Sequence, residues 1–340
     1  MQHFEEETFV KKEFDKRTWK RIISFMRPLR LYVAVVILCG VLLAVADIAY
    51  PLINRYGIDV IIASGDLSAL PFFIGVYVVF MIVMGILVYT FIYFAEKVQN
   101  HLAHIIRKKA FEKLQELPFS YYDRTPAGWI VARMTSDTRQ LSDILSWGLI
   151  DITWGGLMMV GLATMMLILN WQLALIALSV MPLLVYLSMF FRKRILRAYR
   201  DIRKQNSKIT GAFNEGILGA KTTKTLVLEE KNYADFDYLT SRMKKHSVRA
   251  ALFAGLYFPT ILFLASIATA LVLYFGGLDV RDEVIQVGLL YVFLSYISQF
   301  FEPVMQLANV LAHFQQAQAS AERVVSLIDQ EVEIDDTAGV

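Results

Sequence analysis

The side chains able to do chemistry in this 340-residue sequence are few, and they do not assemble into a reaction centre. His101 and His104 stand i, i+3 on a helix, a spacing that suits a metal, but no carboxylate or cysteine is placed to complete a shell, so no metal site is expected. Cys39 is the sole cysteine and lies in an apolar run, which excludes an intramolecular disulfide. No G-x-x-x-x-G-K-[ST] phosphate loop and no LSGGQ-like run occurs, so these residues do not cradle a nucleotide phosphate on backbone N–H groups. What remains is Asp47, an acidic residue deep in an apolar stretch. An ion near a bilayer centre costs at least about 2.5 kcal/mol, so Asp47 is a candidate substrate-binding group. Tyr50, Trp154, Met158, Tyr291, Tyr296, Gln299 and Phe300 could line an apolar cavity with it.

The elements that must carry these residues are membrane helices. The chain is 56% hydrophobic, 13% aromatic and 19% charged, far more apolar than a soluble domain of this length requires. Its net charge of +3, with no basic-aromatic recognition motif, gives no support to nucleic-acid binding. Six spans are expected, at 31–53, 70–95, 149–169, 171–191, 250–275 and 284–301. The last reaches membrane length only if it runs on past Glu302. Before them, residues 16–30 mix basic residues with Trp19, Ile22, Ile23, Phe25 and Met26, a pattern for a helix lying in the headgroup layer.

Of the 34 Lys and Arg, eight lie in residues 1–30, eight in 96–148, fifteen in 192–249 and one at position 323, leaving only Arg55 and Arg281 for the other face. The positive-inside rule therefore puts both termini and the two long loops in the cytoplasm. The external links are expected to be short, at 54–69, 170 and 276–283. The helices outrun the bilayer: a 47-residue helix extends about 70 Å, more than twice the hydrocarbon thickness. Beyond Ala95, Val98, Leu102, Ile105, Ile106, Ala110, Leu114 and Leu117 recur at steps of three and four, the mark of a stalk packed on other stalks. Three more such stalks follow.

Two polar turns end these stalks. In the first, Pro118 stops the preceding helix, and Thr125 with Pro126 offers a cap and a first-turn proline for the next. The second runs from Glu215 to Asn232. A rigid helix pair with an exposed tip suits the reception of force from a soluble motor. Here the residues become specific. Tyr122, Asp123, Gly128, Arg133 and Asp137 in YYDRTPAGWIVARMTSD resemble the first intracellular loop of ATP-binding cassette exporters with six helices per half. Glu215, Gly219, Lys224 and Glu229 are similar to that family's second coupling pattern, NWQLALIAL to the start of its fourth span, and QASAERVVSLID to the linker after its sixth. Trp129 stands where the family usually has an acidic residue, and Leu226 where it has an aromatic.

The resemblance implies an all-α polytopic membrane protein with six transmembrane helices extended into the cytoplasm and a domain-swapped dimer. It implies a half-transporter with an elbow in 1–30, a six-helix domain in 31–311 carrying intracellular loops 96–148 and 192–249, and a linker in 312–340 toward an absent nucleotide-binding domain. Coupling helix 1 is then Tyr121, Tyr122, Asp123, Arg124, Thr125, Pro126, Ala127, Gly128 and Trp129. Coupling helix 2 is Thr222, Thr223, Lys224, Thr225, Leu226, Val227, Leu228, Glu229 and Glu230. The implied activity is ATP-driven efflux of multidrug or other amphipathic substrates from a bacterial plasma membrane. ATP and Mg are expected on the nucleotide-binding domain, with no cofactor in this chain. The implied partners are lipid, a second half-transporter, the nucleotide-binding domains and a small amphipathic substrate. The rival reading, a secondary transporter or channel not driven by ATP, leaves the two long basic stalk loops without a purpose.

Overall fold

The structure, a computed structural model, describes residues 16–65 and 67–330. It is helical, with no strand among the described residues. Six helical stretches are long and apolar enough to cross a membrane, at Arg27–Ile62, Leu70–Glu116, Ala127–Leu169, Trp171–Leu218, Glu229–Arg281 and Val287–Val304. The described residues form two compact units, one from the stretches 16–171 and 279–330, the other from 172–278.

The first unit contains α1 (Lys16–Phe25), α2 (Arg30–Tyr56), α3 (Leu70–Glu116), α4 (Phe119–Arg124), α5 (Ala127–Ala132), α6 (Thr138–Asp143), α7 (Leu149–Leu169) and α12 (Val287–Ile328). Two π turns, Arg133–Asp137 and Ile144–Gly148, join α5, α6 and α7 into one continuous rod. α2 packs on α3 and α7, and α12 packs on α7 and α2. The helix α3 runs unbroken for 47 residues. Its apolar half buries no residue from 70 to 94, whereas Ala95, Val98, Leu102, Ile106, Ala110 and Leu114 are buried, at the spacing that marks a stalk. The core there joins α1, α3, α6 and α12 through Ile22, Leu102, Ile106, Leu141, Ala317, Ala321 and Val324.

The sequence-based picture differs at three places in this unit. α1 does not keep its apolar face for lipid: Trp19, Ile22, Phe25 and Met26 are buried in the stalk core, and Trp19 stacks on Phe314 at 4.5 Å. Only Ile23 on this helix remains an exposed large apolar residue. The expected external link 54–69 is largely helical, because α2 continues past Pro51 into a π turn, Gly57–Ile62. Gly57 permits this, since a Cβ there would stand 2.9 Å from the Phe73 ring. Likewise α12 does not stop at the membrane edge; it passes Pro303 and reaches Ile328, so the sixth span attains full length.

The second unit is built from α8 (Trp171–Ser179), α9 (Met181–Leu218), α10 (Ala220–Thr225) and α11 (Glu229–Arg281). Pro182 sits in the first turn of α9, so the break it imposes falls at Val180, between α8 and α9. Pro259, by contrast, lies inside an unbroken α11. α9 and α11 meet near the α10 corner through Phe213 and Phe236, whose rings lie 4.9 Å apart, and farther along through Phe191 and Tyr257 at 5.9 Å.

Candidate functional site

The first tip is more compact than its sequence suggests. α3 ends at Glu116, and Leu117 turns extended (ψ 141°) as a residue before proline must. Pro118 then caps α4, which holds Tyr121, Tyr122, Asp123 and Arg124. Thr125 closes α4 in extended conformation, and Pro126 (ψ 131°) is the cap of α5 rather than its first residue. The expected cap is therefore shifted by one position, and the tip is a six-residue helix followed by a corner. Tyr122 locks the corner, its hydroxyl donating to the Leu114 carbonyl at 2.5 Å. Asp123, Arg124, Pro126, Ala127 and Gly128 are exposed, and Phe119 at the apex is 86% exposed.

Tyr121, Thr125 and Trp129 are half-buried, facing Arg133, which is buried. Burial holds the Tyr121 phenol above its ordinary value, while the adjacent Arg133 guanidinium pulls it down. The Arg133 guanidinium carbon lies 3.0 Å from the centre of the Trp129 ring. This gives a physical account of the residue that departs from the resembled pattern: an indole face covers the guanidinium where an acidic side chain would pair with it.

One turn farther, the tip is fastened to the last helix. Asp137 is buried and accepts two hydrogen bonds from Arg323, from Nε at 2.8 Å and Nη2 at 2.5 Å, and a third from Ser320 Oγ at 2.9 Å. Gln140 Oε1 accepts from the same Ser320 hydroxyl at 3.0 Å. The bidentate bond raises the Arg323 pKa, so this cation stays charged in any working buffer. Ser320 and Gln140 did not stand out in the sequence. Arg323 did carry a signal, as the one basic residue after the last span.

At the second tip α9 ends at Leu218, and α10 spans Ala220–Thr225, two residues ahead of the expected start at Thr222. A Cβ on Gly219 would lie 2.7 Å from the Glu215 carbonyl, which accepts Gly219 N–H at 2.8 Å, so this corner requires glycine by close approach. Leu226, Val227 and Leu228 form the turn, with Val227 at φ 53°, a strained value for a β-branched residue. Glu229 and Glu230 open α11, acidic residues where the helix dipole favours them. Lys224 bonds Glu229 at 2.8 Å and holds its carboxyl below the usual range, and Asn232 bonds Thr223 at 3.0 Å. Thr222, Thr225, Leu226 and Val227 are exposed.

In the membrane part, Trp154 of α7 donates to Asp47 of α2 at 3.2 Å, bringing those two candidates together. Tyr50 and Tyr291 line a cavity of about 410 Å³ with Asn54 and Phe73, where Asn54 donates to Tyr291 at 3.1 Å and the Tyr50 and Tyr77 hydroxyls meet at 2.5 Å. Met158, Tyr296 and Phe300 are buried within the unit, Tyr296 donating to the Ile48 carbonyl at 2.8 Å; Gln299 is half-buried. The start of α12 is pinned by Asp59, which accepts Gly288 N–H at 2.7 Å and Arg55 Nε at 3.2 Å. Among the described residues, no group of three His, Cys, Asp or Glu is placed to hold a metal.

Membrane-length helices prolonged into stalks, with six-residue helices at their ends, define a multi-pass membrane domain. Residues 33–304 match the ABC transporter transmembrane region, and the chain belongs to that family. It is 27% identical over 319 residues to YknU of Bacillus subtilis, an uncharacterized ABC transporter ATP-binding protein, covering 94% of this chain and 54% of that protein. It is 26% identical to the ATP-dependent lipid A-core flippase of Vibrio vulnificus, covering 93% and 54%. YgaD of Bacillus subtilis, provisionally named a multidrug export ATP-binding/permease protein, is 25% identical over 91% of this chain and 54% of its own length. The chain thus spans about half the length of the curated relatives it matches.

Proposed function

We propose that this domain forms the translocation pathway of an ATP-driven exporter of amphipathic molecules, working as a dimer of six-helix halves in a bacterial plasma membrane with its termini and stalks cytoplasmic. Residues 1–30 are its elbow, 31–311 its six-helix domain and 312–340 its link to a nucleotide-binding domain, which holds ATP and Mg. The tips at 121–129 and 222–230 dock on the nucleotide-binding domains. Closure of those domains on ATP carries the tips, and the stalks convert the movement into outward opening. For transport to result, substrate affinity must differ between the two states.

The observation that carries this reading is the Asp137–Arg323 bond. It makes tip 1 and the end of α12 one body, so the docked surface and the chain leading to the motor move together. The relatives' names, one of lipid flippase and one of multidrug export, support an amphipathic substrate. Inside-out vesicles carrying the intact protein are expected to take up a fluorescent amphipath with ATP and not with an ion gradient alone. Gradient-driven, ATP-insensitive uptake would replace this reading by that of a secondary transporter.

A further inference from the structure

The proposed pathway leaves open which amphipaths it takes, and one helical face bears on that. Along α6 and α7, Asp143, Trp147, Asp151 and Trp154 follow at steps of four, four and three residues, so carboxylate and indole alternate on one side of the rod. Asp143, Trp147 and Asp151 all line a half-open cavity of about 240 Å³, faced by Val310 and His313 of α12. Trp147 is held in place: its Nε1 donates to Gln99 Oε1 at 2.9 Å, and the Gln99 amide donates in turn to Asp143. Trp154, the next position toward the membrane interior, donates to Asp47, so a third carboxylate from a different helix extends the series.

Arg139 acts on Asp143 and His313 on Asp151, but neither forms an ion pair with them among the described residues. The cavity therefore combines two carboxylates, an indole surface and an apolar wall, and the Trp154–Asp47 pair lies beyond its lining, one step farther along the same helical face. A cation held against an aromatic face and a carboxylate gains from both, and gains more where water is excluded, whereas an anion there meets repulsion and an unfavourable quadrupole.

We propose that this acid–indole ladder is a binding track for cationic amphipaths, with their charged group at Asp143 and Asp151 and their apolar body along Trp147 and Trp154 toward Asp47. The inference rests on the transport reading above but concerns binding, so the two can fail separately.

The test uses tetraphenylphosphonium and tetraphenylborate, ions of nearly the same shape and opposite charge. Each is bound at equilibrium, without nucleotide, to the intact protein in zwitterionic nanodiscs, and its partition into empty nanodiscs is subtracted. The phosphonium is expected to bind at least about tenfold more tightly. The preference should vanish in Asp143→Asn/Asp151→Asn and survive in Asp143→Glu/Asp151→Glu, which keeps the charge and controls for folding. Equal binding of the two ions, a preference for the borate, or a preference that persists in the double Asn variant would each overturn the ladder. Loss in the Glu variant as well as the Asn variant would overturn it too, since charge would then not be the property read. ATP-driven uptake in the same preparation reports on transport alone.

Discussion

Removing Arg323 tests the joint between tip 1 and α12 directly. Asp137 is 6% exposed and receives both bonds of the guanidinium fork together with the Ser320 hydroxyl. In Arg323→Ala the carboxylate keeps only the hydroxyl, and stripping one partner from a fully buried pair costs about 3–5 kcal/mol. The Arg323 side chain is 30% exposed, so solvent already screens part of the pair, and about 2–3 kcal/mol is the expected loss. That corresponds to roughly a 30- to 150-fold rise in the population with the joint open. Arg323→Lys keeps the charge but not the fork and should lose less than half as much. A double variant, Asp137→Leu with Arg323→Met, should recover most of the loss, because no buried charge is left unpaired. Amide hydrogen exchange across residues 133–143 reads the opening, and ATPase activity beside transport in the intact protein reads coupling. The sign with pH follows from the raised Arg323 pKa: the stabilisation is fully present below the ordinary arginine range and is lost only as pH rises through the still higher folded value. Exchange protection should therefore not fall on the alkaline side up to about pH 10. If Arg323→Ala leaves exchange at 133–143 within twofold of the parent protein, the joint is not holding the tip and the mechanical argument is wrong.

Three further outcomes follow from local geometry. Gly219→Ala places a Cβ 2.7 Å from the Glu215 carbonyl, so it should loosen the α9–α10 corner by about 1–3 kcal/mol, seen as faster proteolysis near 219–228, with no such change for the open Gly216→Ala. Trp129→Ala should cost about 1 kcal/mol by exposing Arg133, while Trp129→Glu should recover it through a carboxylate partner; a thermal midpoint equally lowered in both would show that ring packing, not charge, is what matters there. Asp59→Ala removes the cap on the N-terminus of α12 and should destabilise its first turn by about 1 kcal/mol, measured as exchange at 287–291, whereas Asp59→Asn should lose only part of that.

Periodicity made the long helices legible because a stalk repeats one contact many times. The steps of three and four through Val98, Leu102, Ile106, Ala110 and Leu114 fall on the residues that α3 buries, and the lysine and arginine distribution marked the same segments as water-facing. Contacts made once left no such pattern. Asp137 and Arg323 are 186 residues apart, and nothing in the local sequence of either says that they meet; only α12, packed alongside the rod that carries Asp137, brings them together. The π turns were hidden for a related reason, since one extra residue in a turn changes the face that later residues occupy without changing composition. The turn at Ile144–Gly148 lies within the stretch that lines the cavity facing α12, between Asp143 and Asp151. The amphipathic elbow shows the opposite case, in which a clear pattern had two physical solutions. An apolar stripe of Trp19, Ile22 and Phe25 fits lipid or protein equally well, and the stacked ring of Phe314, from a helix almost three hundred residues away, decided for protein. The same elbow reaches the far end of that helix through Arg21 and Asp329, paired at 3.0 Å, so this pair and the Asp137–Arg323 joint both converge on the last turns of α12.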